Sequence, residues 1–185
     1  MNREIGENDC MEENRQDSSE KQLEQDHVKK IADHFEGTYS LKPNEKYEVN
    51  RYRYETDKLG RIEKCEGTIR LEKGKINPAH QTRAGGENRE EQDDGGHLIA
   101  RRFGGSEKVD NIVPMDRHLN RGEYKKMENE WANKLEDGDT VDVKIRCKYE
   151  KDSDRPSEFI VRYKVTDDTG KSYHEVRRFK NSESG

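Results

Sequence analysis

The clearest pattern in the chain is the alternation of apolar and polar residues towards its C-terminal end. TVDVKIRCKY (140–149) and EFIVRYKVT (158–166) place every second side chain on one apolar face, and DDTGK (167–171) supplies a turn into SYHEVRRF (172–179), read as a third strand. That period predicts three strands of a sheet with one buried face. Upstream, YEVNRYRYET (47–56) and IEKCEGTIRLE (62–72) flank DKLGR (57–61), which predicts a hairpin closed by an Asp and Gly turn. Two shorter apolar runs, GHLIA (96–100) and NIVP (111–114), read as brief strands about a turn at FGGS (103–106), the second closed by its proline. From about His118 the period changes. Leu119, Met127, Trp131 and Leu135 recur at helical spacing and stop before Gly138, predicting a helix over 118–136. Leu23, Val28, Ile31, Ala32 and Phe35 form another helical stripe ending at Gly37, which predicts an amphipathic linker or docking helix over 23–36. Between Asn77 and Gly96 there is no period, so a long loop is expected, of the kind compact domains usually keep for function.

These elements predict an α+β fold: a curved antiparallel sheet packed against the 118–136 helix, with a small strand–strand–helix unit at its edge. Composition changes the picture at the N-terminus. Hydrophobic residues are 27% of the chain and charged ones 42%, too polar for 185 residues packed uniformly. Residues 1–22 hold almost nothing that burial could set against the entropy of ordering, and are expected to be disordered or a truncated remnant. One domain over 39–181 remains. Cys10, Cys65 and Cys147 are odd in number and lack metal-site spacing; Cys65 and Cys147 fall in strand-like segments and are expected in the core. No apolar run is long enough to span a bilayer and the N-terminus lacks the pattern of a secretory signal, so a soluble chain is expected.

A net charge of −5 and a pI near 5.8 argue against general phosphate binding. The average conceals a local excess. Between His97 and Lys126, Arg101, Arg102, Lys108, Arg117, Arg121, Lys125 and Lys126 outnumber Glu107, Asp110, Asp116 and Glu123.

Candidate chemistry lies in the same stretch. DDGGHLIA (93–100) sets His97 behind two glycines that let the backbone turn tightly and an anion approach. Histidine is the side chain whose charge is adjustable near neutral pH. NIVPMDRHLNRGEYKKMENEW (111–131) brings Asn111, Asn120, Glu123 and Glu128 onto or beside the following helix. A phosphodiester repels hydroxide, so its hydrolysis needs a base to make the nucleophile and a cation to neutralise developing charge. One histidine and one hard-oxygen ligand on adjoining elements provide both, because magnesium accepts few protein ligands and retains water. Structural alternatives stand beside this reading. Asn120 has the makings of a helix N-cap with Glu123 completing a capping box. On an ideal helix Glu123 lies within a turn of Asn120, while Glu128 lies about 12 Å along the axis and about 80° round it. A distortion at Gly122 or an intervening water would bring Glu128 back. His118 is open to two readings, a solvated residue at the helix start or a metal ligand.

In order and register, residues 93–128 resemble the DNA/RNA non-specific endonucleases, of the ββα-metal superfamily. The DRGH motif of that family appears as Asp94-Gly95-Gly96-His97, and its N-I-x-P…L-N-x-G…E pattern as Asn111-Ile112-Val113-Pro114, Leu119-Asn120-Arg121-Gly122 and Glu128. From about Tyr47 to Phe179 the chain is also similar to the nuclease domains that end bacterial polymorphic toxins, including the LXG class. The resemblance implies His97 as general base, Asn120 as direct ligand of Mg²⁺ (Mn²⁺ substituting), Glu128 acting through a metal-bound water, and Asp94 and Asn111 as supports. Three positions depart from the pattern: Gly95 replaces the DRGH arginine, Met115 a glutamine and Ala132 an arginine. Another cation must therefore face the phosphate; Arg83 is the first candidate, ahead of Arg89, Arg101 and Arg121. Arg101, Arg102, Arg121 and Lys125 are expected to bind nucleic acid.

The function expected is metal-dependent endonucleolytic cleavage of DNA, and also RNA, with little sequence preference, by a monomeric toxin domain. A cognate acidic immunity protein is the expected partner, and a larger secreted toxin acting in a target-cell cytoplasm the expected context. Two other readings make different predictions. A catalytically inactive nucleic-acid-binding module shifts DNA in a gel without cutting it, and a scaffolding protein has no affinity even at low salt.

Overall fold

The structure, a computed structural model, describes residues 34–72 and 90–182. Its frame is a six-stranded antiparallel sheet in the order β10 (Ser172–Lys180), β9 (Pro156–Thr166), β8 (Thr140–Tyr149), β5 (Ile62–Ile69), β4 (Tyr52–Thr56) and β3 (Lys46–Val49). The three C-terminal strands fall where the alternation puts them: β8 is Thr140–Tyr149, β9 Pro156–Thr166 and β10 Ser172–Lys180. Along β8, Val141, Val143, Ile145 and Cys147 are buried between exposed or half-exposed neighbours. Cys65 and Cys147 are buried free thiols, and burial pushes both pKa values up.

The upstream strand divides in two. Residues 47–56, read as one strand, form β3 (Lys46–Val49) and β4 (Tyr52–Thr56), paired to each other with Val49 opposite Tyr52. Asn50 and Arg51 between them have φ of 51° and 74°, the left-handed pair of a two-residue hairpin turn. β5 (Ile62–Ile69) then pairs with β4 through the expected turn at 57–61, where Gly60 has φ 78°. It stops short of Arg70–Glu72, which the apolar pattern had included.

Phe35 and Glu36, expected to finish a helix, lie instead in β1 (Phe35–Gly37), paired with β2 (Ser40–Leu41). Here tertiary packing overrides the helical period: His34 is buried, stacked 4.1 Å from the Tyr47 ring and 3.1 Å from Asp110. Residues 23–33 of that helix, the 1–22 segment and most of the 77–96 loop lie outside the described residues. The end of that loop is a strand. β6 is Asp93–His97 and pairs with β7 (Ile112–Asp116), so the first strand of the small unit begins earlier than GHLIA suggests. Pro114 does not close β7, because this two-stranded sheet has edges on which a missing N–H is tolerated.

Two helices replace the single one expected: α1 (Arg117–Arg121) and α2 (Glu123–Glu136), divided at Gly122 with φ −102° and ψ −106°. Asp116 caps α1, accepting from Leu119 N–H at 3.0 Å. The buried face of α2 is Tyr124, Met127, Glu128, Trp131 and Ala132. Trp131 packs edge-on to Tyr163 at 5.5 Å, and Tyr124 meets Phe159 and Phe179 at 6.1 and 5.6 Å, so α2 lies across β8, β9 and β10. Aromatic pairs of this kind add to the area they bury. Asn181, unremarked in the sequence pattern, ties the chain's end to the small unit: its amide bonds Asp116 N–H, Pro114 O and Pro156 O.

Candidate active site

A cleft of about 1080 Å³ opens where β6, the following turn and the two helices meet, and His97, Asn120 and Glu128 all line it. β6 delivers His97 at its end, opposite Ile112. Glycine at 96 is required by packing, since a Cβ there would sit 2.6 Å from the Cβ of Met115. Leu98, Ile99 and Ala100 then bury themselves without forming a strand, and a 3-10 turn, Arg101–Phe103, follows.

Asn111 fixes that segment. Its Oδ1 accepts from Ile99 N–H and Tyr54 O–H, while its Nδ2 donates to Ile99 O and Ser106 O. Full satisfaction of one buried amide makes a rigid tie between the histidine segment and β7. Gly105 is part of the same tight pack, where a Cβ would lie 1.8 Å from Ile99 O.

Asn120 is not a cap. It lies within α1, its Nδ2 3.1 Å from Asp94 Oδ2. A carboxylate only accepts, so the amide nitrogen must face Asp94, and the oxygen is the end left for a cation. Asp94 also receives a bidentate Arg121, at 2.8 and 2.9 Å. Burial raises the Asp94 pKa, but the bonds from Arg121 and Asn120 outweigh it and hold the carboxyl below its ordinary value. Asp94 thus braces Asn120 and Arg121 from the strand that carries His97.

Glu123 is exposed and outside the cleft, whereas Glu128 is 6% exposed and lines it. The break at Gly122 removes the ideal-helix geometry that favoured Glu123. Burial pushes the Glu128 carboxyl up to about 7 against the pull of Lys125 and Arg102. Lys125, 3.7 Å away and half exposed, is a weak partner for a carboxylate on an apolar stripe. His118 is exposed and lies outside the cleft.

His97 Nε2 is buried with no hydrogen-bond partner. Burial first, and Arg101 second, push its pKa down while Glu107 pulls weakly upward, so the neutral imidazole is favoured. Arg51, Arg101, Arg102, Arg121 and Lys125 share the cleft with Glu72, Glu107 and Glu128, leaving it locally positive on an acidic chain. Arg83 and Arg89 lie outside the described residues. Asn50, Arg51 and Glu72 were not foreseen; the β3–β4 turn carries the first two in, and Asn50 donates to Gly104 O. Asparagine's tolerance of positive φ was the available signal.

A half-buried histidine, a braced asparagine, a buried glutamate and a basic lining thus share one cleft, an arrangement chemically suited to phosphodiesters. Residues 43–167 match the DNA/RNA non-specific endonuclease family, and the chain belongs to it. Among its relatives are the type VII secretion system protein EssD of Staphylococcus aureus strains USA300 and NCTC 8325 / PS 47, each 40% identical over 119 residues. That match takes in 60% of this chain and 19% of the relative, so the chain spans about a fifth of those proteins. An extracellular endonuclease of known structure shares the fold, with a TM-score of 0.51 and 17% identity over 71% of this chain and 78% of that one. No helix among the described residues is long and apolar enough to cross a membrane.

Proposed function

We propose that the chain cuts DNA, with RNA as a second substrate, as a metal-dependent endonuclease with little sequence preference. The observation that carries this reading is the unpartnered Nε2 of His97, kept neutral by burial, on the same cleft as Asn120 and Glu128.

His97 Nε2 takes a proton from the attacking water, the task for which a neutral imidazole near physiological pH is suited. Among the described residues no three His, Cys, Asp or Glu side chains form a metal cage. The donors present are instead an amide oxygen and a carboxylate, which fit a hard cation that keeps most of its water. Asn120 would hold Mg²⁺ directly and Glu128 through water, with Mn²⁺ substituting; bound there, the ion would supply positive charge to the phosphate and the leaving oxygen. Asp94 keeps the Asn120 amide turned the right way, and Asn111 keeps the histidine segment in place. Arg101, Arg102, Arg121 and Lys125 would meet the phosphate backbone, which positions a strand without reading its sequence.

The likeness to a secretion-system protein supports a toxin domain carried by a larger exported protein and acting in a target cell as a monomer. An acidic immunity protein would complement the basic cleft. Incubation of the purified chain with plasmid DNA and with RNA, in Mg²⁺ and in EDTA, tests the activity. Cleavage abolished by EDTA is expected. Cleavage that persists in EDTA contradicts the metal, and a gel shift without cleavage in Mg²⁺ or Mn²⁺ favours the inactive binding module.

A further inference from the structure

Five cationic side chains line the cleft, and four of them are engaged. Arg51 pairs with Glu72, Arg101 with Glu107, Arg121 with Asp94, and Lys125 lies 3.7 Å from Glu128. Arg102 is different. Its Nε and Nη2 are both buried and bonded to nothing, and it makes no ion pair among the described residues. Such a group costs stability, because a charge removed from water needs partners that these two nitrogens lack.

The identity of the orphan pair is informative. Nε and Nη2 form one edge of the guanidinium, the edge by which Arg121 grips both oxygens of Asp94 and Arg155 grips both oxygens of Asp93. That fork matches two oxygens of a carboxylate or a phosphate. No carboxylate fills it here, and Glu128 feels Arg102 only through its field. The fork is also held still without help from a carboxylate. Arg102 sits on the 3-10 turn anchored by fully buried Phe103, its guanidinium carbon is 4.9 Å from that ring, and its carbonyl accepts from Glu72 N–H at 2.8 Å. β6 offers no rival, since Gly95 has no side chain.

We infer that Arg102 is the catalytic cation of the site, its Nε–Nη2 fork gripping two oxygens of the scissile phosphate. The role expected of Arg83 passes to a residue five positions after His97. This assignment rests on the proposed phosphodiesterase reading.

The test is steady-state cleavage of a DNA oligonucleotide in Mg²⁺ by wild type, Arg102→Ala, Arg102→Lys and Arg102→Met, with thermal melts of each free protein. Loss of one preorganised donor to the transition state predicts a fall in kcat of about 100-fold or more for Arg102→Ala. KM should change little, Arg102→Lys should recover only part of the rate, and added guanidinium ion should restore activity to Arg102→Ala but not accelerate the wild type. Arg102→Met should melt higher than wild type, by about 2–4 °C. An active wild type with an equally active Arg102→Ala overturns this assignment alone. A loss that appears only in KM, or one that tracks a falling melting temperature and resists guanidinium, also overturns it. An inactive wild type overturns the proposed function and this inference with it.

Discussion

The two ends of β6 bury ionisable groups in opposite ways. At its start Asp93 is fully buried and fully answered: Arg155 chelates it at 2.8 and 2.9 Å, Glu90 N–H donates at 3.0 Å, and Arg155 also donates to Asn181 O. At its other end His97 Nε2 has no partner, and the Arg102 fork in the same cleft has none either. The same short strand thus holds a closed junction and an open one. The closed end shows that this fold can satisfy a buried charge when stability is the purpose. The unanswered groups in the cleft are therefore read as reserved for a ligand, since polar groups left unpaired in a core are rare.

Breaking the closed end should have the largest effect. Arg155→Ala strands the Asp93 carboxylate and should cost about 3–5 kcal/mol of stability, measured by denaturant unfolding. A cost within experimental error would mean that the junction is not structural. Disturbing the cleft side should instead affect function and leave the fold intact. Asp94→Ala frees the Asn120 amide and should weaken the response to Mg²⁺ by about 10–100-fold, read as the concentration giving half-maximal cleavage. An unchanged Mg²⁺ titration would remove the bracing role. The smallest effect concerns pH. His97 acts as a base only when neutral, and burial with Arg101 lowers its pKa. The acid limb of kcat/KM should therefore fall below the ordinary imidazole value of about 6.5. Glu107→Gln removes the group pulling the other way, so it should move that limb further to acid; a shift towards alkaline pH contradicts the electrostatics.

The closed side of the molecule was also the more legible in sequence. β8 and most of β9 are written in alternation because one face of the sheet is core and the other is not, whereas β10 leaves Tyr173 and Val176 exposed and buries only Phe179. Around the cleft the signals are weaker for physical reasons. β6 begins with Asp93-Asp94-Gly95-Gly96, poor strand formers that are extended because the partner strand and Met115 dictate it. β3 and β4 read as one strand because Asn50-Arg51 is a left-handed turn without glycine. The helix seemed continuous because its apolar period survives the break at Gly122. His97, Asn120 and Glu128 could be named from ordered motifs, but Arg102 could not be singled out among its neighbours. Its distinction is the absence of a partner, which only three-dimensional packing reveals.

The proposed nuclease cleft depends above all on His97 acting as its base. Its most direct test compares plasmid cleavage in Mg²⁺ by wild type and His97→Ala at matched folded concentration, with melting curves for both. A positioned general base contributes about 10²–10⁴-fold, so His97→Ala should melt like wild type and cut at least about 100-fold more slowly. A folded His97→Ala protein that cuts as fast as wild type would remove His97 as the base.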